Sequence, residues 1–236
     1  MVYLLAITLA YLIGSFPSGV VVVRIARGID VRRVGSRRSG ATNVFRAAGV
    51  PSAVIVFLLD VFKGAGAVWL GMWLAGRAVE ASWGILWPFS PEMVVPLWAG
   101  LAAGLAAIAG HNWPIYIRFK GGRGVATSLG TILPLAPVVG AIGFLIGLLI
   151  IIASRYASLG SMIGCCCIPT GMILQSLVFT PLPLLTILYG ALIAAIIIFQ
   201  HRDNISRLRT GTERRLGGKR GQGDRGTGGQ GDGDGR

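Results

Sequence analysis

Apolar runs of about 20 residues recur along most of this chain, the length a helix needs to cross the hydrocarbon core of a bilayer. They fall at Val2 to Val23, Ser52 to Ala75, Val94 to Ala109, Val125 to Ala153, Leu159 to Phe179 and Leu182 to Phe199. Inside hydrocarbon each backbone polar group needs a partner within its own segment, so the pattern specifies an all-α, polytopic integral membrane protein. Composition agrees: 53% of residues are hydrophobic and 13% charged, whereas a water-soluble domain carries about 25% charged residues.

The run from 125 to 153 sets the number of crossings. Its centre reads Leu133-Pro134-Leu135-Ala136-Pro137, and two prolines so close together break or kink a helix. Two helices meeting at a turn give seven transmembrane helices; an unbroken run gives six. Charge favours seven. Seven arginines lie between Arg24 and Arg46; Arg118, Lys120 and Arg123 follow Trp113, and the chain after Gln200 is strongly basic. The segment from Gly76 to Glu92 sets only Arg77 against Glu80 and Glu92. By the positive-inside rule the three basic segments are cytoplasmic and the loop with Trp83, Trp87 and Pro88 is external. They share a side only if the long run crosses twice, which places the N-terminus outside and the C-terminus inside. No basic segment precedes the first apolar run, which is also too long for a signal peptide.

Residues 1–216 are expected to form the transmembrane domain, and 217–236, rich in glycine and charge with nothing apolar to bury, a disordered basic tail. The net charge of +13 does not point to nucleic acid, because the cations sit in separate short loops and the tail lacks aromatic residues to stack on bases. Cys165, Cys166 and Cys167 are consecutive on a helix, unable to converge on one metal, and read as packing or lipid-facing residues.

Three polar, glycine-bearing islands interrupt the hydrocarbon: Gly35 to Arg46, Gly110 to Gly124, and His201 to Asn204. Each couples closely spaced backbone N–H groups to Arg or Lys and to Ser, Asn or His, a combination suited to phosphate. Both histidines, His111 and His201, lie in them. Blander roles compete. Ser36, Thr42 and Asn43 suit helix capping, the histidines could sit in the headgroup layer, and Lys120 and Arg123 could be positive-inside anchors. Asp60 and Lys63, at i and i+3 within a span, fit a mutual ion pair. Pro17, within Gly14 to Gly19, reads either as a kink for close packing or as a break facing the site.

In order along the chain, the motifs Gly14-Ser15-Phe16-Pro17-Ser18-Gly19, Gly35-Ser36 through Gly40-Ala41-Thr42-Asn43-Val44-Phe45-Arg46, Leu59-Asp60-Val61-Phe62-Lys63-Gly64, Gly110-His111 through Lys120-Gly121-Gly122-Arg123-Gly124, Ser154-Arg155-Tyr156-Ala157-Ser158 and His201-Arg202-Asp203-Asn204 with Gly211-Thr212-Glu213 resemble those of the bacterial acyl-phosphate-dependent glycerol-3-phosphate acyltransferases, over Tyr11 to Gly217. The chain departs from the family pattern at Arg37-Arg38, where Gly-Asn is usual, and at Arg123, where Lys is.

The resemblance implies an enzyme of the bacterial inner membrane whose active site faces the cytoplasm. It would move an acyl group from acyl phosphate to the sn-1 hydroxyl of glycerol 3-phosphate, releasing lysophosphatidic acid and phosphate. It implies no metal and no cofactor. Its partners would be the two substrates, membrane lipid and the soluble enzyme that makes acyl phosphate. Candidate catalytic residues are Ser36, His111, His201 and Asn204. Phosphate and substrate contacts are expected from Gly35, Ser36, Gly40, Thr42, Asn43, Arg46, Arg118, Lys120, Gly121, Gly122, Arg123, Ser158, Ser161 and Arg202. An acyl phosphate is already activated, so no covalent nucleophile is required, and positioning and charge neutralisation carry the catalysis. A transporter for a phosphorylated solute would use similar cations but would bring repeat symmetry and helices broken at mid-membrane. A metal-dependent headgroup transferase would need clustered Asp residues.

Overall fold

In the computed structural model, which describes residues 2–83 and 94–217, the regular elements are all helical. Trp87, Pro88 and the tail beyond Gly217 lie outside the described residues.

The first apolar run forms α1 (Val2–Ser15) and α2 (Ser18–Arg27). Pro17 has no N–H to donate, so the helix stops and restarts around Phe16-Pro17. The groups freed there are used: the Phe16 carbonyl accepts from Lys63 Nζ at 3.3 Å, and Ser18 Oγ donates to Asp60 at 2.6 Å. The proline thus breaks the helix where the Asp60–Lys63 pair needs hydrogen-bond partners. Gly28, at φ 69, ends α2 in the left-handed region that glycine enters without strain.

The helix α3 (Ala41–Trp83) is divided at Gly49, whose φ of 81 and ψ of −175 are not helical. Pro51 sits just beyond, at the first turn of the second piece, where its missing N–H costs nothing. Then come α4 (Val94–Asn112), α5 (Val125–Ile132), α6 (Pro137–Ser154), α7 (Ala157–Val178), α8 (Leu184–Gln200) and α9 (Arg202–Arg209). The break expected between Leu133 and Pro137 is present, with Pro137 opening α6. α5 is short. At 1.5 Å per residue it is about 12 Å long, less than half the hydrocarbon thickness.

Among the described residues four stretches are long and apolar enough to cross a membrane: Val2–Arg27, Ala41–Ala78, Pro137–Ser154 and Ala157–Val178. A fifth is α8 taken with α9, past a 59° bend.

Small residues fix how these helices meet, as expected where lipid removes the hydrophobic drive between them. Ala10, Ala67, Ala103 and Ala107 form a buried seam joining α1, α3 and α4. A methyl on Gly130 of α5 would collide with the Val61 backbone of α3. On the other side, a methyl on Gly147 of α6 would stand 2.9 Å from the Gly160 carbonyl of α7. The result is two packed groups, α1 to α5 and α6 to α8, joined by lighter contacts of α5 with α6 and of α4 and α5 with α8.

Candidate active site

Between these groups lies a cavity of about 1150 Å³. Its polar end takes residues from all three sequence islands: Gly35, Ser36, Gly40, Thr42, Asn43 and Arg46 from the first, His111 and Arg123 from the second, and His201 and Asn204 from the third. Ser158 and Ser161 of α7 also line it. Its other end is hydrocarbon, with Phe57, Ile132, Phe144, Leu148, Ile168 and Ile193 on the walls.

The first island is a loop wrapped around one amide. Asn43 is buried, its Nδ2 donates to the Val31, Val34 and Arg38 carbonyls at 2.9–3.1 Å, and its Oδ1 accepts from the Ser36 N–H at 3.0 Å. Asn43, expected to contact phosphate, therefore has its polar groups committed to holding the loop. The Ser36 N–H is committed as well, which leaves the Ser36 hydroxyl and the neighbouring guanidinium groups for a ligand. Gly35 takes φ 58, and so does the non-glycine Arg37, at φ 57. That posture costs a side-chain-bearing residue roughly 1–2 kcal/mol. The departure from Gly-Asn thus leaves a strained arginine in the loop, and Arg38 joins the cavity wall beside it.

In the second island, Gly121 and Gly122 lie against His111 so closely that a methyl on either would collide with it, and the Gly122 N–H donates to the His111 carbonyl at 3.1 Å. These glycines shape the seat of the histidine and do not line the cavity. Arg118 and Lys120 are exposed and stand outside it. Arg123 turns inward, its Nε donating to the Gln200 carbonyl at 3.1 Å. Burial, then the nearby Arg38 and Arg207, push its guanidinium down to about 10, still charged at neutral pH.

Asp60 is almost fully buried and pairs with Lys63 at 2.7 Å, accepts from Ser18, and stands 3.5 Å from His111 Nδ1. Asp60 also borders the cavity. The spacing of Asp60 and Lys63 announced their pairing; nothing local linked them to Ser18 or His111.

In the third island, His201 follows the last residue of α8. Its Nδ1 lies 2.8 Å from the Ile197 carbonyl. A carbonyl can only accept, so Nδ1 carries the proton and Nε2 is the acceptor of the neutral ring. Burial pushes His201 down to about 4, an effect the Ile197 carbonyl opposes and Arg123 reinforces. Arg202 points away, stacking over Phe199 at 4.6 Å and donating to its carbonyl. Asn204 Nδ2 donates to Glu213 at 2.6 Å, and its buried Oδ1 has no protein partner. Glu213 also accepts from Ser158 Oγ and Arg207 Nε, each at 2.7 Å. These three donors hold its carboxylate ionised, below its ordinary range, against the opposing effect of burial. The segment beyond α9 is laced to the turn between α6 and α7, because the Leu216 N–H donates to the Arg155 carbonyl and Arg155 Nε to that of Leu216. Glu213 was legible only as part of a motif; Asn204 and Arg207 lie within nine residues of it, but Ser158 lies far away in sequence.

A histidine held near 4 when folded and near 6.5 when unfolded takes up protons on unfolding between those values. Its contribution to stability is complete above about 6.5 and is lost as pH falls towards 4. Thermal unfolding in detergent should therefore show a midpoint that drops from pH 7 to pH 5. In His201→Gln that drop should be measurably smaller; an equal drop in both proteins would remove His201 as its source.

Cys165 lines the cavity and Cys166 is exposed; all three cysteines are free thiols.

Residues 4–211 match the family described as glycerol-3-phosphate acyltransferase. The glycerol-3-phosphate acyltransferase of Thermus thermophilus is 44% identical over 209 residues, spanning 89% of this chain and 92% of its own. That of Synechococcus elongatus is 40% identical over 209 residues, with the same coverage. Two crystal structures of PlsY (YgiH), an integral membrane glycerol 3-phosphate acyltransferase, share 35% identity with this chain and cover 91% of it. Its glycerol 3-phosphate form aligns with a TM-score of 0.73 over 96% of that chain, and its lysophosphatidic acid form with 0.69 over 95%. With the three islands assembled around one cavity and this likeness along nearly the whole length, the chain belongs to the glycerol-3-phosphate acyltransferase family.

Proposed function

We propose that this protein transfers a fatty acyl group from acyl phosphate to the sn-1 hydroxyl of glycerol 3-phosphate, at the cytoplasmic face of a bacterial cytoplasmic membrane. The observation that carries the reading is one cavity with a cationic end and a hydrocarbon end. A lipid-tailed phosphate and a small polar phosphate can then meet at their boundary. Arg46 and Arg123, with Arg38 beside them, suit the two phosphates. His201 Nε2 and Asn204 Oδ1, both neutral acceptors, suit the hydroxyls of glycerol. These last two roles separate the phosphate-binding residues from the polyol-binding ones.

In the reaction the glycerol oxygen attacks the acyl carbon of the mixed anhydride. The carbon–oxygen bond to phosphate breaks, and phosphate leaves with the electron pair. A ring held near 4 is a weak base, so the proton of the attacking hydroxyl passes to the departing phosphate, while His201 accepts from the other glycerol hydroxyl and so holds the polyol in place. The protein needs no nucleophile of its own.

The topology is read as seven crossings with the N-terminus outside. Gly124 before α5 and Ala157 after α6 both border the same cavity, which supports α5 and α6 as an outward and a returning limb. α4, together with α5 completed by the turn after Ile132, then joins the long spans to reach that number.

The test is turnover by purified protein in lipid mesophase with radiolabelled glycerol 3-phosphate. Palmitoyl phosphate should give labelled lysophosphatidic acid, and palmitoyl-coenzyme A or acyl carrier protein none. The described residues, all helical in their regular elements, offer no strand–glycine–helix unit to hold a nucleotide. Product from the thioester alone would defeat the donor assignment.

A further inference from the structure

The cavity has a side opening. Val50 and Val54 on α3, and Phe144 and Leu148 on α6, line it and keep more than a third of their surface exposed. Between these two helices the cavity therefore faces lipid directly. Across this slit the rings of Phe57 and Phe144 stack, with centroids 5.3 Å apart and planes inclined by 29°. About 15 Å of helix separates Phe144 from Ser154 at the polar end of α6. That is also about the hydrocarbon depth of one leaflet, half of the 30 Å bilayer core. A fatty tail whose reacting carbonyl lies among the arginines reaches the ring pair with its last carbons.

We propose that the Phe57–Phe144 stack is the length gauge for the acyl tail, barring the slit at the depth where an ordinary membrane fatty acid ends. Tails that stop above the rings are held between α3 and α6 at full contact. Longer or branched tails must part the rings, and an aromatic stack weighs no more than about tenfold against that. The gauge therefore grades chain lengths without rejecting any outright. Both rings are apolar and carry no donor or acceptor for a phosphate or hydroxyl, so the gauge acts on the donor tail.

The proposal rests on the acyl-phosphate reading, and the experiment separates the two. Full-length wild type, Phe57→Ala and Phe144→Ala are reconstituted in bilayers and supplied with glycerol 3-phosphate and myristoyl, palmitoyl, stearoyl or arachidoyl phosphate. In both variants the ratio of kcat/KM for stearoyl over myristoyl donor should rise by about tenfold, the size expected when a hydrophobic pocket gains room for a few carbons. The KM for glycerol 3-phosphate should stay as in wild type. Phe144→Trp, which lengthens the bar, should move the ratio the other way. Should an alanine variant not fold, Phe144→Leu and Phe144→Trp carry the test. An active set of variants whose ratio stays within about twofold of wild type overturns the gauge. A wild type that turns over none of the four donors overturns the reaction itself.

Discussion

Replacing Arg123 by alanine is expected to lower kcat/KM for acyl transfer by about 10²–10³, the usual consequence of removing a desolvated charge from a preorganised anion site. Arg123 borders the cavity and is half-buried, held by its Nε to the Gln200 carbonyl. Its remaining guanidinium donors are thereby presented in a fixed plane. Arg123→Lys should recover only part of the loss, because an ammonium cannot grip two phosphate oxygens in that plane. Lys120→Ala should retain turnover close to wild type, since Lys120 is exposed and outside the cavity. Initial rates against both substrates, with fluorescence-detected chromatography to verify folding, settle the comparison. If Lys120→Ala falls as far as Arg123→Ala, Lys120 belongs to the site and not to the exposed loop.

The second large effect is on stability. Asp60→Ala strands the Lys63 ammonium, 7% exposed, with only the Phe16 carbonyl left among its close partners. Breaking a buried pair from one side costs about 3–5 kcal/mol, whereas replacing both partners with apolar residues is often neutral. The unfolding midpoint of Asp60→Ala should therefore collapse, and that of Asp60→Leu combined with Lys63→Met should return towards wild type. Activity should not return with it, because Asp60 also stands beside His111 and borders the cavity. A double variant that regains both stability and full turnover would make the pair purely structural.

The contrast between Lys120 and Arg123 shows where the sequence stops being legible. Both lie in one glycine-rich basic segment, and periodicity cannot tell an anchor from a ligand when the chain is neither helix nor strand. What turns one inward is the Gln200 carbonyl, far away along the chain. Asn43 is similar: its residue type suits phosphate, yet its use as the hub of the 31–38 loop depends on three carbonyls converging in space. Ser18 gains Asp60, and Glu213 gains Ser158, only when segments far apart in sequence meet. The features read correctly were those with a one-dimensional cause: the prolines that stop a helix around Leu133, and an i, i+3 pair at Asp60 and Lys63; at Pro17 the sequence left kink and break open, and the structure has the break. The length of α5 was not among them, because hydropathy measures how apolar a run is and not where its backbone turns.

The slit between α3 and α6 also bears on how a membrane grows. Moving a fatty tail through water costs about 0.8 kcal/mol per methylene, on the order of 10 kcal/mol for a whole chain. A tail that arrives and departs sideways through an opening onto lipid escapes that barrier in both directions. With the site at one membrane face, as proposed above, donor and product share the leaflet that the slit faces. Lipid made here begins life in a single monolayer, and the opposite monolayer can expand only through material carried over to it afterwards.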